Sequence, residues 1–174
     1  MEIERKFTIS KLPENLESYP CHIIEQAYLN TDPVVRIRRE DDSFYLTYKG
    51  KGLLAREEYN LPLNEASYYH LREKADGNVI SKKRYVIPIL NPQFNMTQLS
   101  STEFSIDHFS LSVELDIFEP PFAPLIIAEV EFPDKETAEA FLPLDWFSQD
   151  VTNDPAYHNS NLSKVQPCKS EYTK

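Results

Sequence analysis

Glu2, Glu4 and Lys6 alternate with Ile3, Arg5 and Phe7 in "MEIERKF" at the start of the chain. A period of two puts alternate side chains on one face of a strand, so two carboxylates and an ammonium share a face. The habit recurs along the chain. Arg36 and Arg38 share a face in "VVRIRRE", Thr47 and Lys49 in "FYLTYK", Arg56, Glu58 and Asn60 in "AREEYNLP", and Lys82 and Arg84 in "VISKKRYV". Glu114 and Asp116 do so in "SVELDIF", and Glu129 and Glu131 in "IIAEVEF". The charged faces carry seven acids (Glu2, Glu4, Glu58, Glu114, Asp116, Glu129, Glu131) and seven bases (Lys6, Arg36, Arg38, Lys49, Arg56, Lys82, Arg84), grouped by sign along the strands. Arginine suits fork contacts with phosphate oxygens. Carboxylates suit Mg²⁺ or Mn²⁺, hard cations that prefer oxygen ligands. Bases on one wall and acids on another describe a site for a metal-bound triphosphate.

The elements that must carry these residues are short. Strands are expected over 2–7, 23–29, 34–40, 44–49, 55–62, 79–89, 110–118 and 125–132, with "EFSIDHF" (103–109) as a further strand or an extension. A helix is expected over 63–77, with Asn64 as N-cap and Gly77 as its stop, and a second over 133–143, with Asp134 as cap and Pro143 as limit. A short helix is expected within 10–20, and an irregular connection at 91–101.

Two arrangements fit such strands. In one, a half-exposed antiparallel sheet keeps its charged face in water, with cross-strand ion pairs worth about 0.2–1 kcal/mol each. In the other, the sheet closes into a barrel, apolar faces outward under the helices and charges inward. Enclosing so many charges is costly unless they are paired, hydrated or bound to something. Sorting by sign and the prominence of arginine favour the barrel.

These residues resemble the CYTH superfamily, the triphosphate tunnel metalloenzymes. "EIERKF" matches the family's ExExK signature. "EQAYL", "VRIRRE", "YLTYKG", "AREEYNLP", "SKKRY", "ELDIFE", "AEVEF" and "DWFSQDVTNDPAYHNSNL" follow in the family's order, covering the chain to about Leu162. The resemblance implies an α+β, mainly β fold: a closed eight-stranded antiparallel barrel, a triphosphate tunnel, with helices packed outside. It implies divalent-metal-dependent hydrolysis of a triphosphate, inorganic tripolyphosphate being the expected substrate. The alternatives are a class IV adenylate cyclase, a thiamine or nucleoside triphosphatase, and a binding module without turnover. By the same resemblance Glu2, Glu4, Glu129 and Glu131 hold the metal, Mg²⁺ or Mn²⁺. Lys6, Arg36, Arg38, Lys49, Arg56, Lys82 and Arg84 bind phosphate. Glu58, Glu114, Asp116 and Lys49 serve catalysis, the acids near a second metal or the attacking water. One departure touches the site. Where the family often reads R-x-E-x-E, this chain has Arg56, Glu58 and then Asn60. The "EPPFAPL" loop and the long 91–109 segment also depart, away from the charged motifs.

The remaining residues bound the reading. With 174 residues, one domain over 1–164 is expected, followed by a mobile tail, 165–174. A net charge of −10 argues against nucleic acid or an anionic membrane as partner. The three glycines, Gly50, Gly52 and Gly77, form no phosphate-cradling loop, so phosphate must be held by side chains. Cys21 and Cys168 are far apart and lack metal spacing, which points to a reducing compartment. No apolar leader or run of roughly 20 apolar residues is seen, so a cytoplasmic location is expected, as a monomer or homodimer. His22, His70, His108 and His158 show no ligand spacing and are expected at surface or packing positions. Trp146 and the run after it are expected over a tunnel mouth, with Lys164 reaching inward. No serine or cysteine nucleophile signature occurs.

Overall fold

The structure is a computed structural model and describes residues 2–51, 54–98 and 110–165; of Ala55, Arg56 and Gln98 only the backbone is described. The expected strand over 103–109, His108, Cys168 and the tail beyond Val165 lie outside these residues.

Ten strands form among the described residues: β1 (Glu2–Ile9), β2 (Cys21–Thr31), β3 (Val34–Glu40), β4 (Ser43–Lys49), β5 (Ala55–Arg56), β6 (Glu58–Leu63), β7 (Asp76–Pro88), β8 (Ser112–Phe118), β9 (Ile126–Glu131) and β10 (Phe147–Asp150). The strands follow the order β10-β1-β9-β8-β7-β2-β3-β4-β6, and β5 pairs with β1. All the ladders are antiparallel. β5 and β6 are separated only by Glu57, so together they make one interrupted stave. Its first part pairs Arg56 with Glu2 and Ala55 with Ile3, and its second pairs with β4. Eight staves thus run round the lumen, as expected, with β10 laid beside β1 outside the expected count. The seam between β1 and β5 is short, two residue pairs and one further bond from the Glu4 N–H to the Leu54 carbonyl at 3.1 Å.

The apolar alternates of the charged strands face outward, as the period of two requires. Ile3, Phe7, Val113, Leu115, Ala128 and Val130 pack under α2 (Lys135–Ala140) with Ala138, Ala140 and Phe141. Ala27 and Ile37 pack under α1 (Glu65–Arg72) against Tyr68. Asp134 caps α2, accepting from the Thr137 N–H at 2.7 Å, and Asn64 caps α1, accepting from the Ser67 N–H at 2.8 Å.

Two expectations about helices are corrected. α1 stops at Arg72 rather than at Gly77, because β7 begins at Asp76 and claims that stretch for the sheet. Gly77, at φ +73°, serves instead as a contact point, since any Cβ there would collide with the Ser163 carbonyl. That contact lets the Asn78 N–H donate to the Ser163 carbonyl at 2.7 Å, fastening α3 (Asn159–Leu162) to the barrel. The helix expected within 10–20 is one 3₁₀ turn, Leu16–Ser18.

A third cluster lies on the lumen side. Ile80 alternates with Lys82, Phe118 with Asp116, and Ile127 with Glu129. With Tyr28 these pack together, and Leu162 of α3 joins them. One end of the barrel is therefore filled by apolar side chains, as small barrels usually are. The charges occupy the rest.

Candidate active site

β1, β9 and β8 set a row of charge by register: Lys6 lies opposite Glu129, and Glu129 opposite Glu114, while Glu4 lies opposite Glu131. The Lys6 ammonium pairs with Glu129 and, at 2.9 Å, with Glu4. Against the cost of burial, Glu129 and Glu4 hold Lys6 above the ordinary lysine range. Likewise, against burial, Lys6 and Arg84 keep the Glu129 carboxyl well below its ordinary value.

β7 faces β8 with Arg84 opposite Asp116. The Arg84 guanidinium forks onto Asp116, with Nε to Oδ1 and Nη2 to Oδ2 both at 2.6 Å. It also donates to Glu129 at 2.6 Å and to Glu114. Lys82 pairs with Asp116, and both side chains are fully buried. Burial pushes the Lys82 ammonium down to about 8 despite that partner.

β3 presents a different wall. Arg36 and Arg38 lie two residues apart on the lumen face, 4% and 9% exposed. Arg38 donates to the Gln26 side-chain oxygen at 3.0 Å and meets Glu40, its one carboxylate among the described residues, at 3.8 Å. Arg36 has no carboxylate partner among the described residues and donates to the Thr47 hydroxyl at 3.3 Å. Burial and then the Arg38 charge push the Arg36 guanidinium below its ordinary range. The Nε atoms of both arginines are buried without a partner among the described residues. A buried cation pair with so little counter-charge is complementary to an anion.

Lys49 joins the two sides. Its ammonium meets Glu2 at 2.6 Å and Glu58 at 2.7 Å. Against burial, Lys49 holds the Glu58 carboxyl down to about 2. Burial and the neighbouring Glu4 carboxylate push Glu2 up instead.

One cavity gathers these groups. Glu2, Glu4, Lys6, Arg36, Arg38, Lys49, Glu58, Arg84, Glu114, Glu129 and Glu131 all line it. The expected site residues Lys82 and Asp116 do not. Their mutual pair, locked by the Arg84 fork, seals them into the wall beside Phe118, where the lumen turns apolar. Of Arg56 only the backbone is described.

Sequence reading missed part of the lining. Tyr28 and Val34 line the cavity, as do His158, Asn159 and Ser160 from the start of α3. Tyr28 was legible, since it extends the period-two face of Gln26; His158, Asn159 and Ser160 belong to the run after Trp146 that was expected over a tunnel mouth, and they do border the cavity. His158 was expected in a surface or packing role. It does pack, its Nε2 lying 3.2 Å from the Thr152 carbonyl, but it also borders the cavity. Two other expectations are corrected. Lys164 is exposed and is not among the cavity's lining. Trp146 packs against the outer core, edge-on to Phe147, rather than over the charged cavity.

The expected metal ligands do not converge as their side chains stand. No three acidic, histidine or cysteine groups gather at cation-binding distance among the described residues. Lys6 and Lys49 hold the carboxylates in two groups, Glu4 with Glu129 and Glu2 with Glu58. The donor set nevertheless fits a hard divalent cation. Every donor is a carboxylate oxygen. Burial, then Glu114, Glu4 and Glu58, push the Glu131 carboxyl up, which marks an excess of negative charge at this end of the cavity.

An antiparallel barrel whose lumen sets an arginine wall across from clustered carboxylates defines a triphosphate tunnel protein. The chain belongs to the CYTH domain family, whose model matches residues 1–143. It is 31% identical over 170 residues to an inorganic triphosphatase of Nitrosomonas europaea, covering 95% of this chain and 99% of that one. It is 33% identical over 167 residues to an inorganic triphosphatase of Acetivibrio thermocellus, covering 94% and 93%. Among solved structures, that of the inorganic triphosphatase NE1496 aligns with a TM-score of 0.66 at 27% identity, over 96% of this chain and 97% of that one. The PH1012 protein from Pyrococcus horikoshii OT3 shares the fold, with a TM-score of 0.51 at 17% identity over 80% and 83% of the two chains. Membership of the family implies an enzyme that depends on a divalent metal ion.

Proposed function

We propose that this protein hydrolyses inorganic tripolyphosphate with Mg²⁺ or Mn²⁺ in the charged half of its barrel. The carrying observation is the β3 wall: two buried guanidinium groups, Arg36 and Arg38, with one distant carboxylate between them. The names of relatives that align over nearly their whole length support the reaction class.

Phosphoryl transfer needs positioning and charge neutralisation more than covalent chemistry. Arg36 and Arg38 take phosphate oxygens directly. Glu2, Glu4, Glu129 and, beside them, Glu131 would hold the cation, with Lys6 and Lys49, now on these carboxylates, available to the substrate phosphates. When bound, that cation neutralises phosphate charge and polarises oxygen for attack. Glu58, so weak a base in its present pairing, orients the attacking water through its carboxylate; Glu114, on the same side, accepts from it. Arg84 presents its remaining capacity to phosphate from the cavity wall. Lys82 and Asp116 act by holding Arg84 in place, and Arg56, whose backbone lies opposite Glu2 on the β1–β5 ladder, is proposed as a further phosphate contact.

Residues 1–164 are proposed as one domain, since Asn78 of β7 bonds the Ser163 carbonyl. The assembly proposed is a monomer or homodimer. The cytoplasmic reading rests on the two separated cysteines. No helix among the described residues is long and apolar enough to cross a membrane.

Phosphate release from tripolyphosphate tests the proposal, with ATP and thiamine triphosphate in parallel and with Mg²⁺, Mn²⁺ or EDTA. Metal-dependent phosphate and pyrophosphate from tripolyphosphate is the expected result. Cyclic AMP and pyrophosphate from ATP alone would assign a cyclase. Tight tripolyphosphate binding without turnover would assign a binding module.

A further inference from the structure

Arg36, Thr47 and Asn60 stand in one row across three strands: Arg36 lies opposite Thr47 on the β3–β4 ladder, and Thr47 opposite Asn60 on the β4–β6 ladder. Their side chains form a chain of hydrogen bonds. Arg36 Nη2 donates to the Thr47 hydroxyl at 3.3 Å, that hydroxyl donates to Asn60 Oδ1 at 2.6 Å, and Asn60 Nδ2 donates to Glu58 Oε1 at 2.9 Å. We propose that Thr47 and Asn60 are positioning residues, a neutral relay that aims Arg36 at the substrate phosphates and ties its placement to that of Glu58.

The direction of every bond is forced. Ionised Glu58 only accepts, so Asn60 must turn its amide nitrogen toward it and its oxygen toward Thr47. The single Thr47 proton then goes to Asn60, which leaves the hydroxyl lone pairs for Arg36, a group that only donates. Thr47 is fully buried, so no water can stand in for its hydroxyl. Arg36 has no other side-chain hydrogen bond among the described residues, so within its buried setting the Thr47 hydroxyl is the directional contact that favours one rotamer of a long side chain. A carboxylate in place of Asn60 would face Glu58 with a like charge and offer it no donor. The amide, unlike that carboxylate, gives Glu58 a donor and Thr47 an acceptor at once.

This inference rests on the tripolyphosphate reading, and its test is read on binding as well as turnover. Thr47→Val keeps shape and removes the hydroxyl; Thr47→Ser restores it. Asn60→Ala, at an exposed rim position, is the second variant should Thr47→Val fold poorly. Calorimetric titration of tripolyphosphate in EDTA is expected to show Kd about tenfold weaker in Thr47→Val and Asn60→Ala, and near wild type in Thr47→Ser. In an Arg36→Gln background, Thr47→Val should weaken binding no further, because the relay then has nothing to aim. Unchanged Kd in both variants, or an equal further loss in the Arg36→Gln background, overturns the relay. Wild-type binding without turnover overturns hydrolysis and leaves the relay readable in Kd. A wild type that neither binds nor turns over tripolyphosphate overturns both.

Discussion

Two walls of the barrel carry the same kind of residue in opposite states. Lys82 and Arg84 on β7 and Arg36 and Arg38 on β3 are all buried cations, two residues apart, pointing into one lumen. The β7 pair faces Asp116, Glu114 and Glu129, which neutralise it. The β3 pair faces Thr47, Gln26 and Tyr45, which accept hydrogen bonds but supply no charge, and among the described residues its one carboxylate is Glu40, 3.8 Å from Arg38. Neutral acceptors let the arginines fold into place without cancelling them. The difference separates two jobs that a list of charged residues merges: β7 with β8 and β9 braces the barrel, and β3 keeps its charge for a ligand.

The largest expected effect comes from breaking the brace. Asp116→Ala leaves Lys82 and Arg84 buried without their central partner. Removing one member of a buried ion pair costs about 3–5 kcal/mol. For a chain of this length that is a loss in Tm on the order of 10 °C. Calorimetric melting checks it, and a Tm within a degree or two of wild type would show that β7 is not the brace.

Arg36→Gln should do the reverse. It removes a buried cation with no carboxylate partner among the described residues and relieves its repulsion with Arg38, so Tm is expected to stay level or rise. Turnover of tripolyphosphate is expected to fall about 100-fold in kcat/KM, as for loss of one preorganised charge-stabilising donor. Steady-state kinetics beside the melt decides the matter. A variant that loses stability and activity together would place Arg36 in the brace and erase the contrast between the walls.

The same asymmetry was only half legible in the sequence. The period of two put the charges of each strand on one face because strand geometry is local, while the inward turn of that face rested on the sorting of charges by sign and on the resemblance. The split at Glu57 and the added strand β10 depend on how the barrel closes and were not legible. Nor was the fate of Asp116 and Lys82. Their alternation is identical to that of Glu114 and Arg84, and only the neighbouring Phe118 and Ile127 show that this level of the lumen is dry. The α3 contribution to the cavity was legible only as a run lying over a tunnel mouth, and how it is fastened there was not. It depends on Gly77 and Asn78 catching Ser163 across more than eighty residues of chain.

A ligand sharpens the comparison further. If β3 carries uncancelled charge, tripolyphosphate at about 100 times its Kd should stabilise the fold by about 2.7 kcal/mol, a rise in Tm on the order of 5–10 °C. Arg36→Gln should lose most of that rise at the same concentration. An equal rise in the variant, followed by thermal shift in EDTA, would mean that the phosphates sit elsewhere.

The smallest expected effect is the dependence of stability on acid, and its sign differs between the carboxylates. Glu58, Glu129 and Asp116 are held below their ordinary values, Glu58 to about 2 from 4.5. The stability they contribute is complete above the unfolded pKa and is lost as pH falls through the folded one. Glu2 and Glu131 are pushed above 4.5, so the folded protein binds their protons first, and acid stabilises it in the window just above 4.5. Tm should therefore edge upward as pH falls toward 4.5, then decline between 4.5 and 2. Glu131→Gln should flatten the upward limb and Glu58→Gln should make the decline shallower, each by a degree or two. A Tm that falls steadily from neutral pH, with no upward limb for Glu131→Gln to remove, would show that burial and like charge together do not raise Glu2 and Glu131. The carboxylate side would then lack the excess negative potential that suits it to a cation, and the arginine wall alone would define the site.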